Sequence, residues 1–503
     1  MSSWMIVGVV TIACISPLLT LATLWQKKEW RIDRLKEHLR SEGYFRQLFG
    51  ILRPVVIIGT ILSAMANLPW NNALGILALA LLSVMQFALR RQRFPVWTMK
   101  AIALVGSSLI MNILAVIILP VSTLQLLLPL LQCIPLSLAW LAFLPVDFAL
   151  KQHIMKKASL LRSEFDNATV IGITGSVGKT TTKELVAHIL KEKNVLYTPA
   201  YVNSEMGVSK WLLKELPNRS REEELIIIVE MGAYKMGEIQ KLCSITKPSM
   251  GVVTFIGTQH VALFGSQERL CKAKGELLEC LPEDGQAFIN SDNSLCSKMI
   301  ERCNCSVTSV GTGGHADLEA FEIEEQGDGI RFRVNQQDFS MHLHGTHNVT
   351  NILLAIAVTE KLGIDLPSSA ARLQSFEPPH HTFSVRQENG ITILDDTHNA
   401  SPESFRASLA WAKSQPANKK ILVTPGLIEL GTNEDRIHRE LGSASNGIVD
   451  RVIFTGKQGR SAFSKGFNGT VELINSDPSK TSEGDLLLFV GRVSQKQIHR
   501  LMP

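Results

Sequence analysis

The 503-residue chain is poor in aromatic residues (6%), and only four of them are tyrosines. It has no basic stripe with interleaved aromatics, so the groove that nucleic acid needs is missing and no nucleic-acid partner is expected. Its eight cysteines are scattered, which excludes a disulfide framework and leaves free thiols as the expectation. Cys303 and Cys305 form a C-x-C, but no second pair stands at zinc-finger spacing, so they read as loop thiols. The first apolar run has no basic segment before it, which argues against a cleaved signal peptide. The apolar runs contain no Asp or Glu, so an ion pathway has no support.

What is present is unevenly distributed. Residues 1–150 are heavily apolar, with runs at about 5–25, 55–70, 73–89, 101–119 and 124–144, the last interrupted by Pro129 and Pro135. A helix crosses the bilayer core with ~20 residues. Five such runs in succession predict a membrane unit, with runs two and three as a tight pair joined at 69–72. The formal net charge of +5 is small, and much of it sits beside these runs. Run one is followed by Lys27, Lys28, Arg31, Arg34, Lys36, Arg40 and Arg46. Run three is followed by Arg90, Arg91, Arg93 and Lys100, and run five by Lys151, Lys156 and Lys157. The positive-inside rule then places the N-terminus outside and residues 150–503 in the cytoplasm, where ATP is. Residues 26–50 read as a basic amphipathic helix able to lie on anionic lipid.

Beyond the apolar third stands GITGSVGKTTTKE, residues 172–184. A β-rich run precedes it and a helical pattern follows, the context in which backbone N–H groups and a helix N-terminus hold phosphate. Gly175, Ser176, Val177, Gly178, Lys179, Thr180 and Thr181 are the expected phosphate cradle. Lys179 is expected to reach the terminal phosphates and the Thr180 hydroxyl to meet Mg²⁺. The common G-x-x-x-x-G-K-[ST] pattern would place glycine at 173, where this chain has Ile173. A second strand, 225–229, ends in Glu230, an acid placed to meet the metal.

In chain order follow VNSEMGVSKWLL, VEMGAYKMGEI, GTQHVALFGS, KAKGELL, GTHNVTNILLAIA, DDTHNASPESF and TPGLIELG. With the phosphate loop, these stretches resemble the Mur ligases, which build the peptide stem of peptidoglycan, over about 330 residues. The nearest likeness is to the branch that adds D-alanyl-D-alanine. The resemblance implies that Thr180 and Glu230 hold one Mg²⁺ and that His260 approaches a second. It implies that Lys274 is carbamylated and serves that second ion as a carboxylate would. It also implies that His347, Asn348 and Asn351 contact the nucleotide, and that Asp396, beside His398 and Asn399, is the acid supplied by the C-terminal domain. The catalytic set is then Lys179, Glu230, His260, Lys274 and Asp396. The chemistry is an amide bond made through an acyl phosphate, with ATP and two Mg²⁺ as cofactors.

The organisation expected is an α-helical membrane region (1–150, about five helices) and a basic linker (151–167). A central P-loop α/β ATP-binding domain (168–373) and a smaller Rossmann-like α/β domain (374–503) follow. The prolines of SFEPPHH, residues 375–381, mark the last boundary. Residues 306–344 read as a β excursion within the central domain. Ordinary members begin with a soluble domain that grips the UDP end of their substrate, and the membrane unit stands in its place. His380-His381 occupies the position of an expected Gly-Arg, with Arg386 as a substitute. The partners expected are the lipid bilayer of the bacterial cytoplasmic membrane, a cell-wall precursor carboxylate, and an amino acid or dipeptide amine. Two other readings are a ligase for another envelope polymer such as poly-γ-glutamate, and an ATP-driven membrane transporter or sensor.

Overall fold

Long apolar runs must satisfy their backbone within themselves, and in the computed structural model of the protein they do so as helices. The structure describes residues 3–66, 71–119, 122–257, 261–326, 329–378, 382–397, 401–427, 430, 433–456, 459–473, 481–494 and 497–498. The chain divides into two units, Met1–Gln152 and His153–Pro503.

The first unit is helical: α1 (Ser3–Lys27), α2 (Ile32–Glu42), α3 (Tyr44–Phe49), α4 (Leu52–Met65), α5 (Asn72–Ala88), α6 (Met99–Ile118), α7 (Ser122–Leu127) and the start of α8 (Cys133–Ser163). Helix α1 packs on α5 and α6. One core holds Leu18, Ala22, Trp25, Ala101, Leu104, Leu136 and Ala139. The outer faces carry exposed Ile58, Leu62, Leu81, Ile110, Ile117 and Leu141. Among the described residues, α1, α6 and α8 are long and apolar enough to cross a membrane by length and composition, while α4 and α5 are shorter. The fifth run is divided between α7 and α8. The joint expected at 69–72 lies partly outside the described residues.

The stretch 151–167, which composition marks as a linker, is instead largely helix. Helix α8 continues to Ser163, and Met155, Ala158 and Phe165 enter a core with Val170, Leu225 and Ile227. Arg162 ends the helix by donating to Phe165 O and Ala168 O, both at 3.1 Å.

The second unit contains two sheets. The larger has the order β2-β3-β1-β4-β5-β6-β7-β8-β9. Its strands are β1 (Ala168–Thr174), β2 (Val195–Tyr197), β3 (Leu225–Glu230), β4 (Met250–Val253), β5 (Gln286–Asn290), β6 (Ser306–Gly311), β7 (Leu318–Gln326), β8 (Gly329–Val334) and β9 (Gln337–Met341). Pairing is parallel as far as β6–β7 and antiparallel from β7 to β9, so the β excursion extends the sheet. The run LIIIVE of β3 is buried throughout, as a strand covered on both faces must be. Helices α9 (Lys179–Ile189), α10 (Glu205–Glu215), α11 (Glu238–Thr246), α12 (Val261–Phe264), α13 (Gln267–Glu279), α14 (Ser294–Ser297), α15 (Asn348–Lys361) and α16 (Leu366–Leu373) accompany it. Helix α15 is apolar nearly all round and correspondingly buried.

The smaller sheet has the order β10-β11-β15-β12-β13-β14 and is parallel except for β10–β11. Its strands are β10 (Ser384–Glu388), β11 (Ile391–Asp396), β12 (Lys420–Thr424), β13 (Arg451–Phe454), β14 (Val471–Leu473) and β15 (Leu486–Val490), and α17 (Pro402–Ser414) follows β11.

Candidate active site

In open parallel sheets, ligands meet the carboxyl ends of the strands. Here β1 turns into α9 through Gly175–Gly178. Gly175 (φ +148) and Gly178 (φ +89) adopt conformations that side chains resist. A Cβ at 175 would also lie 2.0 Å from Thr254 Oγ1. Ile173, the departure from the common glycine pattern, lies inside β1 in the core, so Gly175 makes the turn two residues later. Ser176 N donates to Phe255 O at 2.6 Å, and Thr254 Oγ1 donates to Val177 O at 2.5 Å. These bonds fix the loop to the end of β4. The buried Ser176 hydroxyl has no hydrogen-bonding partner among the described residues, which suits an incoming anion. Lys179 Nζ folds back onto Gly175 O (2.8 Å) and Ser176 O (3.1 Å). Burial holds its pKa below the usual lysine value, with the Glu230 carboxylate opposing the shift.

Glu230, at the end of β3, is buried and meets the loop directly. Thr180 Oγ1 donates to its Oε2 at 2.9 Å, and Asn203 Nδ2 donates to its Oε1 at 3.1 Å. Fully buried Lys183, one turn along α9, lies 3.7 Å from Oε2 and donates to Thr198 O at 2.7 Å. A hydroxyl and a carboxylate side by side are the hard oxygen donors that Mg²⁺ takes. Lys274 on α13 is buried nearby. Burial first, and then the Lys179 charge, push its pKa down to about 7, against the pull of Glu238, Glu230 and Glu276. Glu276, two residues on along α13, accepts from Gly237 N (2.6 Å) and Gln240 N (3.1 Å) and so anchors the start of α11.

A cleft of about 410 Å³ opens beside the loop. Val177, Gly178, Phe255, Asn290, His347 and Asn351 line one side, and Glu403, Ser404 and Ala407 of α17 line the other. Asn290 Oδ1 is a buried acceptor with no partner among the described residues. Asn351 accepts from Thr182 Oγ1 (3.4 Å) and donates to Asn348 Oδ1 (2.9 Å), and Asn348 Nδ2 donates to His344 O (2.8 Å). Burial lowers the His347 pKa to about 4, so this imidazole is neutral at pH 7. Asp396 ends β11 behind α17, where Ser408 Oγ in the second turn of the helix lies 3.5 Å from its Oδ2. Burial is the main cause that raises its pKa to about 6, and Asp395 adds to the shift.

Gly175–Thr180, Glu230, Lys274, His347, Asn348 and Asn351 therefore adjoin the loop and its cleft. Asp396 supports the cleft wall from behind and is not among its lining. Thr181 is buried within α9. His260, His380, His381, His398 and Asn399 lie outside the described residues. Arg386 pairs with Asp395 (3.4 Å) and Glu388 (3.7 Å). No group of three or more His, Cys, Asp or Glu side chains suited to a metal occurs among the described residues. The contacts of Asn203 and Lys183 with Glu230 were not singled out from sequence, although both residues stand within quoted motifs. Their identity in a motif was legible, but their partner was not.

The Mur ligase middle domain matches residues 173–359, and the Mur ligase, glutamate ligase domain matches residues 383–491. A UDP-N-acetylmuramoyl-tripeptide–D-alanyl-D-alanine ligase from Synechocystis sp. is 34% identical over 331 residues, covering 64% of this chain and 71% of that protein. The protein of the same name from Bacillus subtilis is 31% identical over 337 residues, covering 64% and 72%. The crystal structure of MurF ligase from Thermotoga maritima in complex with ADP superposes with a TM-score of 0.60 at 27% identity, covering 69% of this chain and 82% of that one.

Proposed function

Because the chain belongs to the Mur ligase family, we propose that it extends a peptidoglycan precursor by D-alanyl-D-alanine from the cytoplasmic face of a membrane. It is an ATP-dependent acid–amino-acid ligase. The donor dipeptide is carried over from the named relatives. The observation that carries the site is the Thr180–Glu230 hydrogen bond, which joins the phosphate loop to an acid at the end of the next strand.

Amide formation from a free carboxylate is uphill in water. In this reading the acceptor carboxylate takes the γ-phosphoryl group of ATP, releasing ADP. The donor amine then attacks the acyl carbon, the acyl carbon–oxygen bond breaks, and inorganic phosphate leaves with that oxygen and the bonding pair while the nitrogen gives up a proton to solvent. The loop N–H groups and Ser176 hold the phosphates, and Lys179 balances charge on the transferring group. Mg²⁺ would be held by Thr180 and Glu230, and it supplies charge neutralisation between two anions. Lys274, with a pKa of about 7, has a substantial fraction of free amine at neutral pH. That amine can add CO₂ and release a proton, giving a carbamate whose negative charge suits a second ion. His347, Asn348 and Asn351 face the nucleotide end. Asp396 holds the first turn of α17 so that the C-terminal domain closes the cleft, which protects an acyl phosphate from water.

The membrane part of the proposal rests on three helices of spanning length and on basic segments after runs one, three and five. Alkaline extraction of membranes should leave the full chain in the pellet, and release into the supernatant would remove the anchor. For the chemistry, the purified full chain is incubated with ATP, Mg²⁺, precursor peptides and a panel of amines including glutamate. ADP release that needs both a carboxylate and D-alanyl-D-alanine, with a product mass to match, supports the proposal. ATP hydrolysis at one rate with or without them would overturn it.

A further inference from the structure

The β excursion has no part in the chemistry above, yet one of its side chains reaches the cleft's frame. In β7, Ala320 pairs with Val334 on the buried face, as an alternating strand allows. Strict alternation would then place residues 322 and 324 inward and Glu325 outward. A bulge intervenes. Phe321 pairs with Arg333 and Glu324 with Arg331, so three steps along β7 match two along β8, and Glu322 takes φ +51. The extra residue flips the side-chain parity. Ile323 turns toward the core, Glu324 is exposed, and Glu325 shares a face with fully buried Ile330.

An acid on that face needs donors, and Glu325 finds them in one turn. Gly345 N donates to both carboxylate oxygens, at 2.9 Å and 3.1 Å, and His344 Nδ1 lies 3.2 Å from Oε1. Gly345 holds φ +86, and a Cβ there would lie 2.5 Å from the His347 ring. Asn348 N donates to Gly345 O at 2.8 Å, and Asn348 Nδ2 to His344 O. The turn therefore sets the aim of both His347 and Asn348. On its other side, His347 meets Phe383 edge-on at 5.0 Å and His344 meets Trp411 at 5.7 Å.

We propose that Glu325 is a positioning residue for nucleotide binding: its carboxylate clamps the 344–347 turn, and the bulge in β7 exists to deliver it there. This rests on the reading that ATP occupies the cleft lined by His347 and Asn351. The test is calorimetric titration of the full chain with ADP and Mg²⁺, alongside initial rates, for wild type, Glu325→Ala, Glu325→Asp and Glu325→Gln. Glu325→Ala should weaken ADP binding and raise KM for ATP about tenfold. Its kcat should stay within about threefold of wild type, because the groups at the end of β3 do not move. Glu325→Gln keeps an acceptor at the same reach and should recover most of the affinity. Glu325→Asp keeps the charge but withdraws it by a methylene, and should not. Should the alanine variant fail to fold, the Gln and Asp pair decides. Equal ADP affinity in all folded variants, or a loss in kcat with KM unchanged, overturns the clamp. A wild-type chain that binds no ADP removes the reading of the cleft, and the clamp with it.

Discussion

The two units obey one rule in opposite ways. In the first, the fully buried polar groups are neutral, and several are settled within their own helix. Buried Thr23 and Ser108, like half-buried Thr11, Thr20 and Ser107, each donate to the carbonyl four residues back. Asn112 and Gln132 exchange reciprocal amide bonds at 3.0 Å and 2.9 Å. In the second, several buried groups are charged and are settled across elements: Glu230 by Lys183 and Thr180, Glu276 by the start of α11, and Asp395 by the exposed Arg386. Neutral, self-contained polarity is what a bilayer tolerates. Concentrated, mutually dependent charge at strand ends is what phosphoryl chemistry demands. The difference teaches where this chain can bear substitution.

The sharpest break in that contrast is Glu230→Ala. It removes the proposed Mg²⁺ ligand and leaves Lys183 paired, among the described residues, with Glu184 alone, and the rate of ADP release should fall about 10³-fold. Lys274→Ala comes next, with a loss of about 10²-fold that Lys274→Arg does not restore, since a guanidinium forms no carbamate. Wild-type activity at fixed CO₂ should rise as pH climbs through about 7, where the Lys274 amine becomes free.

Asp396→Asn separates stability from activity. The folded pKa, about 6, lies above the usual 3.8, so folding binds a proton more tightly than the open chain does. Stability from this group is full below about 4 and is lost as pH rises through 6. The Asn variant should therefore gain about 1–3 kcal/mol at pH 7.5 and nothing at pH 4, while losing turnover. Paired thermal melts at the two pH values check this. The smallest effect belongs to the first unit. Asn112→Leu leaves the Gln132 amide short of a partner and should cost about 1 kcal/mol in detergent melts. Leu141→Ile, on the outer face, should cost nothing measurable.

The sequence showed most plainly what is local. The loop between β1 and α9, the acid closing LIIIVE and the prolines before β10 are all short-range signals. What it hid depends on three-dimensional pairing. The helical continuation past Lys151 was masked because basic residues decorate a helix whose Met155 and Ala158 are core. Asn203 and Lys183 acquire meaning only when the segment after β2 and helix α9 bring them to the one carboxylate that ends β3. Glu325 is the clearest case: alternation through LEAFEIEEQ places it outward, and a single inserted residue reverses that.

The resting place of Lys179 has a consequence of its own. Its ammonium lies across two carbonyls of the loop it serves, which partly neutralise the charge. A stray sulfate or inorganic phosphate must out-compete both carbonyls with few contacts in return. A triphosphate, which also engages the loop amides, can draw the side chain away. A cradle built this way should favour a triphosphate over a single phosphate or sulfate, before any base or sugar is read.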